Sequence, residues 1–106
     1  MKSAEIEMLR RECKIVNNDN PTAQVLTVCF LKPKELKGGE FVATAKLSCV
    51  YFEESIETRG IDDMHAFACL LAATQGRLMG KTREGYQIWW LKEADINFSN
   101  FWQYKP

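Results

Sequence analysis

The chain has 106 residues, of which 46% are hydrophobic and 26% charged, and its formal net charge is zero. That length suits a single domain with one core. A balanced charge argues against a general binder of nucleic acid or of an anionic membrane, since both favour a basic excess.

The opening residues, MKSAEIEMLRREC, carry charges and lack the apolar run of a secretory signal. No stretch approaches the roughly 20 apolar residues of a membrane span, so a cytoplasmic location is expected. Ile6 to Val16 mixes apolar and charged positions. Helical spacing would align Ile6, Leu9, Cys13 and Val16, but no cap frames such a helix. A strand with a bulge near Leu9–Arg10 is preferred, because Asn17 to Pro21 then turns the chain into the next strand. Ala23 to Lys32 is rich in Val, Thr and Phe and apolar on both faces, which suits an interior strand ended by Pro33. Lys34 to Gly39 reads as a charged loop closed by Gly38-Gly39. Phe41 to Phe52 alternates cleanly, with Phe41, Ala43, Ala45, Leu47, Cys49 and Tyr51 on one face. Glu53-Glu54-Ser55 reads as a turn and Ile56 to Arg59 as a short strand.

Ile61 to Met79 has helical punctuation. Asp62 suits an N-cap and Asp63 the positive end of the helix dipole. Gly80 reads as the C-cap, with Arg77 and Lys81 at the negative end. At about 100° per residue, Ile61, Met64, Ala68, Leu71, Ala72, Gln75, Leu78 and Met79 form one apolar stripe, expected to face the core. Phe67 lies at its edge and Leu70 toward the far side, so the helix is apolar over more than one face. A second cover is therefore expected: the C-terminal segment or another copy of the chain.

Thr82 to Gly85 reads as a turn. Tyr86 to Leu91, YQIWWL, reads as a strand on which adjacent Trp89 and Trp90 face opposite ways. Asp95 to Tyr104 carries Ile96, Phe98, Phe101, Trp102 and Tyr104, too apolar for a solvated tail. The sum is an α+β domain: a four- or five-stranded antiparallel sheet with one long helix, about 62–79, packed on one face.

Chemistry is sparse. Cys13, Cys29, Cys49 and Cys69 form no CxxC pair, and the only histidine is His65. They read as small buried hydrophobes rather than as zinc ligands or disulfides. The carboxylates around the helix start read as solvated turn residues and a cap, and no phosphate loop is present. No catalytic residue, metal or cofactor is expected. The candidate ligand-binding residues are His65, Gln75, Trp89 and Trp90, since aromatic rings beside a buried amide can line a pocket. The candidate interface residues are Phe67, Leu70, Phe101 and Trp102.

Gly60-Ile61-Asp62, Ala66-Phe67 with its Ala-rich helix, Ile88-Trp89-Trp90-Leu91 and Asp95-Ile96-Asn97-Phe98 together resemble a family of small bacterial domains of unknown function. His65 stands where that family usually has Gln, and Asn97 where it has Gly. The resemblance implies a fold, a bacterial source and a cytoplasmic location, but no reaction. The expected function is a non-enzymatic protein-interaction domain, either as a homodimer or with another protein. The alternatives are a small-ligand binder or weak enzyme near His65, Gln75 and the tryptophans, and, by analogy of size and build, a toxin-neutralising immunity protein.

Overall fold

The computed structural model describes residues 5–89. Its elements in chain order are β1 (Glu7–Asn17), β2 (Asn20–Leu31), β3 (Lys34–Glu35), β4 (Phe41–Ser48), β5 (Glu53–Gly60), α1 (Asp63–Arg83) and β6 (Tyr86–Trp89). Among the described residues all strand pairs are antiparallel, and one six-stranded sheet carries a single helix, the α+β architecture expected. Along its whole length β4 pairs with β5 on one edge. Its other edge takes β3 at Phe41–Val42 and β2 from Ala45 to Ser48. β1 pairs with β2, and β6 returns to pair with the far edge of β1. The helix thus carries the chain from one margin of the sheet to the other.

β1 is a strand, and its register shifts between Glu7 and Leu9, next to the expected bulge. Three expectations fail nearby. The short strand β3 lies in the Lys34–Gly39 segment read as loop. The turn after β4 is 49–52, closed by Cys49 N–H donating to Phe52 O at 3.0 Å, so Glu53-Glu54-Ser55 opens β5 instead of turning the chain. Cross-strand pairing of Ser48 with Glu53 sets this register, which a run of apolar residues through Tyr51 and Phe52 conceals. The third failure is the helix end. Gly80 is helical, and α1 runs on to Arg83, where the Glu84 amide donates to Gly80 O and Lys81 O. Gly85, at φ +106°, takes the left-handed conformation that ends the helix.

The start of α1 follows expectation. The Asp62 carboxylate accepts from His65 N–H at 2.7 Å, and Asp63 sits in the first turn. Gly60, at the end of β5, lets this turn cross closely: a Cβ there would lie 2.5 Å from Ala66 N. The Thr58 hydroxyl fixes the crossing by donating to Ala66 O at 2.8 Å.

The core joins Cys13, Ile15, Leu26, Val28, Phe30, Ala43, Ala45, Leu47, Ile56 and Ile88 of the sheet to Ala66, Leu70 and Leu78 of α1. The helix is rotated from the expected phase. Its buried face is Ala66, Leu70, Thr74, Leu78 and Lys81, with Phe67 set edge-on against Phe30 at 5.7 Å between ring centroids. Leu70, assigned from sequence to an interface, is fully buried in the core. Thr74 is tolerated there because its hydroxyl donates to Leu70 O at 2.7 Å, inside the helix.

Candidate functional site

The C-terminal end of the helix is fastened by charge and rings. Glu54 on β5 accepts from Arg77 at 2.5 Å and from Lys81, whose ammonium also lies 4.2 Å from the Phe52 ring centroid. The hydrogen bond from Lys81 holds the Glu54 carboxyl below the usual carboxylate range, and the same bond raises the Lys81 ammonium. Tyr86 packs on Tyr51 and Phe52 at 5.5 and 5.6 Å. Both Glu54 oxygens are thus engaged by α1, so this charged cluster serves to clamp the last turns of the helix to the sheet.

The rotation of α1 decides what the surface offers. Most of the stripe expected inside faces solvent. Ile61 is 81% exposed, Met64 78% and Met79 40%, and Ala68, Ala72 and Gly76 between them are exposed as well. Leu78 of that stripe is buried and Leu71 is half-buried, since they lie on its inner edge. The outcome is a helix lodged in the core by one apolar face and presenting a second to water.

The described members of the sequence-derived ligand site are not brought together. His65 is exposed on the first turn, where its Nδ1 accepts from Ile61 N–H at 3.1 Å. With the Asp62 carboxylate accepting from His65 N–H, this ties the residue before the N-cap to the first turn. Gln75 is half-buried on α1, ten residues on, which at 1.5 Å per residue puts it about 15 Å away along the axis. Trp89 is half-buried on β6, and because Ile88 beside it points into the core, Trp89 faces the side of the sheet away from the helix. His65, Gln75 and Trp89 therefore do not share a pocket. Phe67 packs on the sheet, while Trp90, Phe101 and Trp102 lie outside the described residues.

A cleft lies elsewhere, on the sheet face away from α1. It holds about 300 Å³ among Ile6, Leu31, Lys32, Lys34, Lys46 and Glu57. Lys46 is neutralised there by Glu5 at 2.7 Å. Among the described residues no group of His, Cys, Asp and Glu is arranged to hold a metal ion. The four cysteines are free, and burial pushes the Cys13 thiol up to about 11, which leaves it protonated and unreactive at neutral pH. No described helix is long and apolar enough to cross a membrane.

Comparison with protein-family models, with curated proteins and with solved structures finds no match. The reading of function therefore rests on the molecule itself. Its most distinctive surface, the outward face of α1, was visible in the sequence as an apolar stripe but assigned to the wrong side. The signal that separates the two faces is the four-residue ladder Ala66, Leu70, Thr74, Leu78, whose inner threonine looks polar and is satisfied within the helix.

Proposed function

We propose that the chain is a non-enzymatic protein-interaction domain whose contact surface is the outward face of α1. The observation that carries this reading is the exposure of Ile61 and Met64, at 81% and 78%, on a helix already anchored through its other face. Large apolar side chains clustered on one exposed face mark contact surfaces, whereas single ones are ordinary. Methionine suits such a surface because its flexible thioether adapts to a partner. The small residues Ala68, Ala72 and Gly76 keep the face flat enough for a second element to approach.

A photo-crosslinking residue at Ala72, introduced in growing cells, tests the reading. It is expected to give a protein adduct, whereas the same residue at Glu57, on the exposed side of β5, should give none. Absence of an adduct from position 72, with the protein folded and abundant, refutes the reading. The cleft around Lys32 and Lys34 supports a second reading, a binder of small anionic molecules. Stabilisation by such a molecule in a thermal-shift screen, abolished by Lys34→Ala, would favour it.

A further inference from the structure

We infer that the partner of the outward α1 face is a second copy of this chain, with the two helices packed antiparallel about a two-fold axis near Ala72. This inference rests on the interaction role proposed above and names its partner. Three observations point the same way.

The first is the distribution of charge along the face. Asp62 stands at its N-terminal end and Arg83 at its C-terminal end, and Arg83 is exposed with no ion pair among the described residues. An antiparallel copy brings each Arg83 toward the other chain's Asp62 and opposes the two helix dipoles. A parallel copy sets acid on acid and base on base, which disfavours it. The face is thus complementary to itself in one orientation, as an isologous contact requires.

The second is the order of sizes. The seam Ile61, His65, Ala68, Ala72, Gly76 and Met79 is large at both ends and small in the middle. About an axis at Ala72, Ala68 of one copy meets Gly76 of the other, and His65 meets Met79. The small centre permits close approach of the backbones, and the larger ends close over it.

The third is the cost of two glycines. Gly76 and Gly80 lie within α1 with ordinary helical backbone, since only Gly38, Gly39 and Gly85 have positive φ. A Cβ at either would meet nothing within 4 Å among the described residues. Each destabilises a helix interior relative to alanine, and no contact within the described residues needs the missing side chain. A second backbone at this face does need it at Gly76, the exposed one of the two. One helix face is a small area for a permanent dimer, so the association belongs with weak, reversible contacts.

Engineered disulfides in the full-length chain test the geometry and separate it from the broader reading. The Ala72→Cys variant, oxidised at ~100 μM, is expected to form a covalent dimer at least tenfold faster than Ala68→Cys or Gly76→Cys alone. Mixing Ala68→Cys with Gly76→Cys should produce the mixed dimer preferentially. Equal rates at all three sites, or none above that of the unmodified chain, would overturn the inference. If photo-crosslinking at Ala72 meanwhile yields adducts only with a different protein, the interaction role stands and the second copy fails. If it yields no adduct, both fail. Gly76→Ala supplies an independent check. It should raise the melting temperature of the dilute monomer and weaken the dimer at least threefold. Stabilisation with unchanged association would also overturn the inference.

Discussion

Leu70→Ala tests the phase of the helix, on which every statement about its outward face depends. Leu70 has no exposed surface and packs among the core residues of sheet and helix. It sits mid-helix with Ala66, Thr74 and Leu78 on the same face, so little can move to fill the space left. Leu-to-Ala changes at such sites cost about 2–5 kcal/mol, combining lost transfer energy with the residual cavity. For this site about 3 kcal/mol is expected, a fall in melting temperature of roughly 12–24 °C for a domain near this size. Met64→Ala, at a side chain 78% exposed, should change stability by less than about 0.5 kcal/mol. Urea denaturation of both variants at low protein concentration, with unchanged slopes, gives the comparison. If Met64→Ala proved the more damaging, the helix would be turned the other way and Leu70 would be a surface residue.

Other outcomes follow from particular contacts. Gly60→Ala should cost more than about 2 kcal/mol, because the new Cβ would lie 2.5 Å from Ala66 N and 2.9 Å from its Cα, backbone that cannot swing aside. Thermal melts check this. Glu54→Gln should cost about 1–2 kcal/mol near neutral pH by weakening the charge-assisted bonds from Lys81 and Arg77. Because those bonds lower the folded-state carboxyl, the advantage of the natural residue is fully present above the ordinary carboxylate range and disappears as pH falls through the folded value. Melts of both proteins across acid pH should therefore converge, and a gap that persisted in strong acid would contradict the clamp. Tyr51→Phe should be neutral or slightly stabilising in the same melts, since the buried Tyr51 hydroxyl has no hydrogen-bond partner among the described residues.

The sheet was legible because its strands alternate or are rich in β-branched residues, and because Asn17–Pro21 and Gly38-Gly39 mark turns at the right places. The Asp62 cap was legible because its chemistry is local. The turn at 49–52 was not, because Tyr51 and Phe52 continue the apolar pattern and only pairing with β5 ends the strand. The helix face was misread for a similar reason. Ala and Met spread apolar character around α1, so periodicity alone cannot choose a side, and the deciding residues are Thr74 and Lys81, which a count of apolar positions places outside. Their satisfaction by Leu70 O and by Glu54 is a tertiary and intrahelical fact. The ligand grouping of His65, Gln75 and Trp89 failed because it joined residues by chemical type, whereas α1 separates the first two and the sheet separates both from the third.

Coverage of the outward α1 face is tested most directly by alkylation of Ala72→Cys in intact cells and in dilute purified protein, read by peptide mass spectrometry and normalised to Glu57→Cys on the sheet. A covered face predicts slower labelling in cells than in dilute solution at position 72, with no such difference at position 57. Equal normalised rates in the two settings would show the face open to solvent in the cell and would contradict the proposed role.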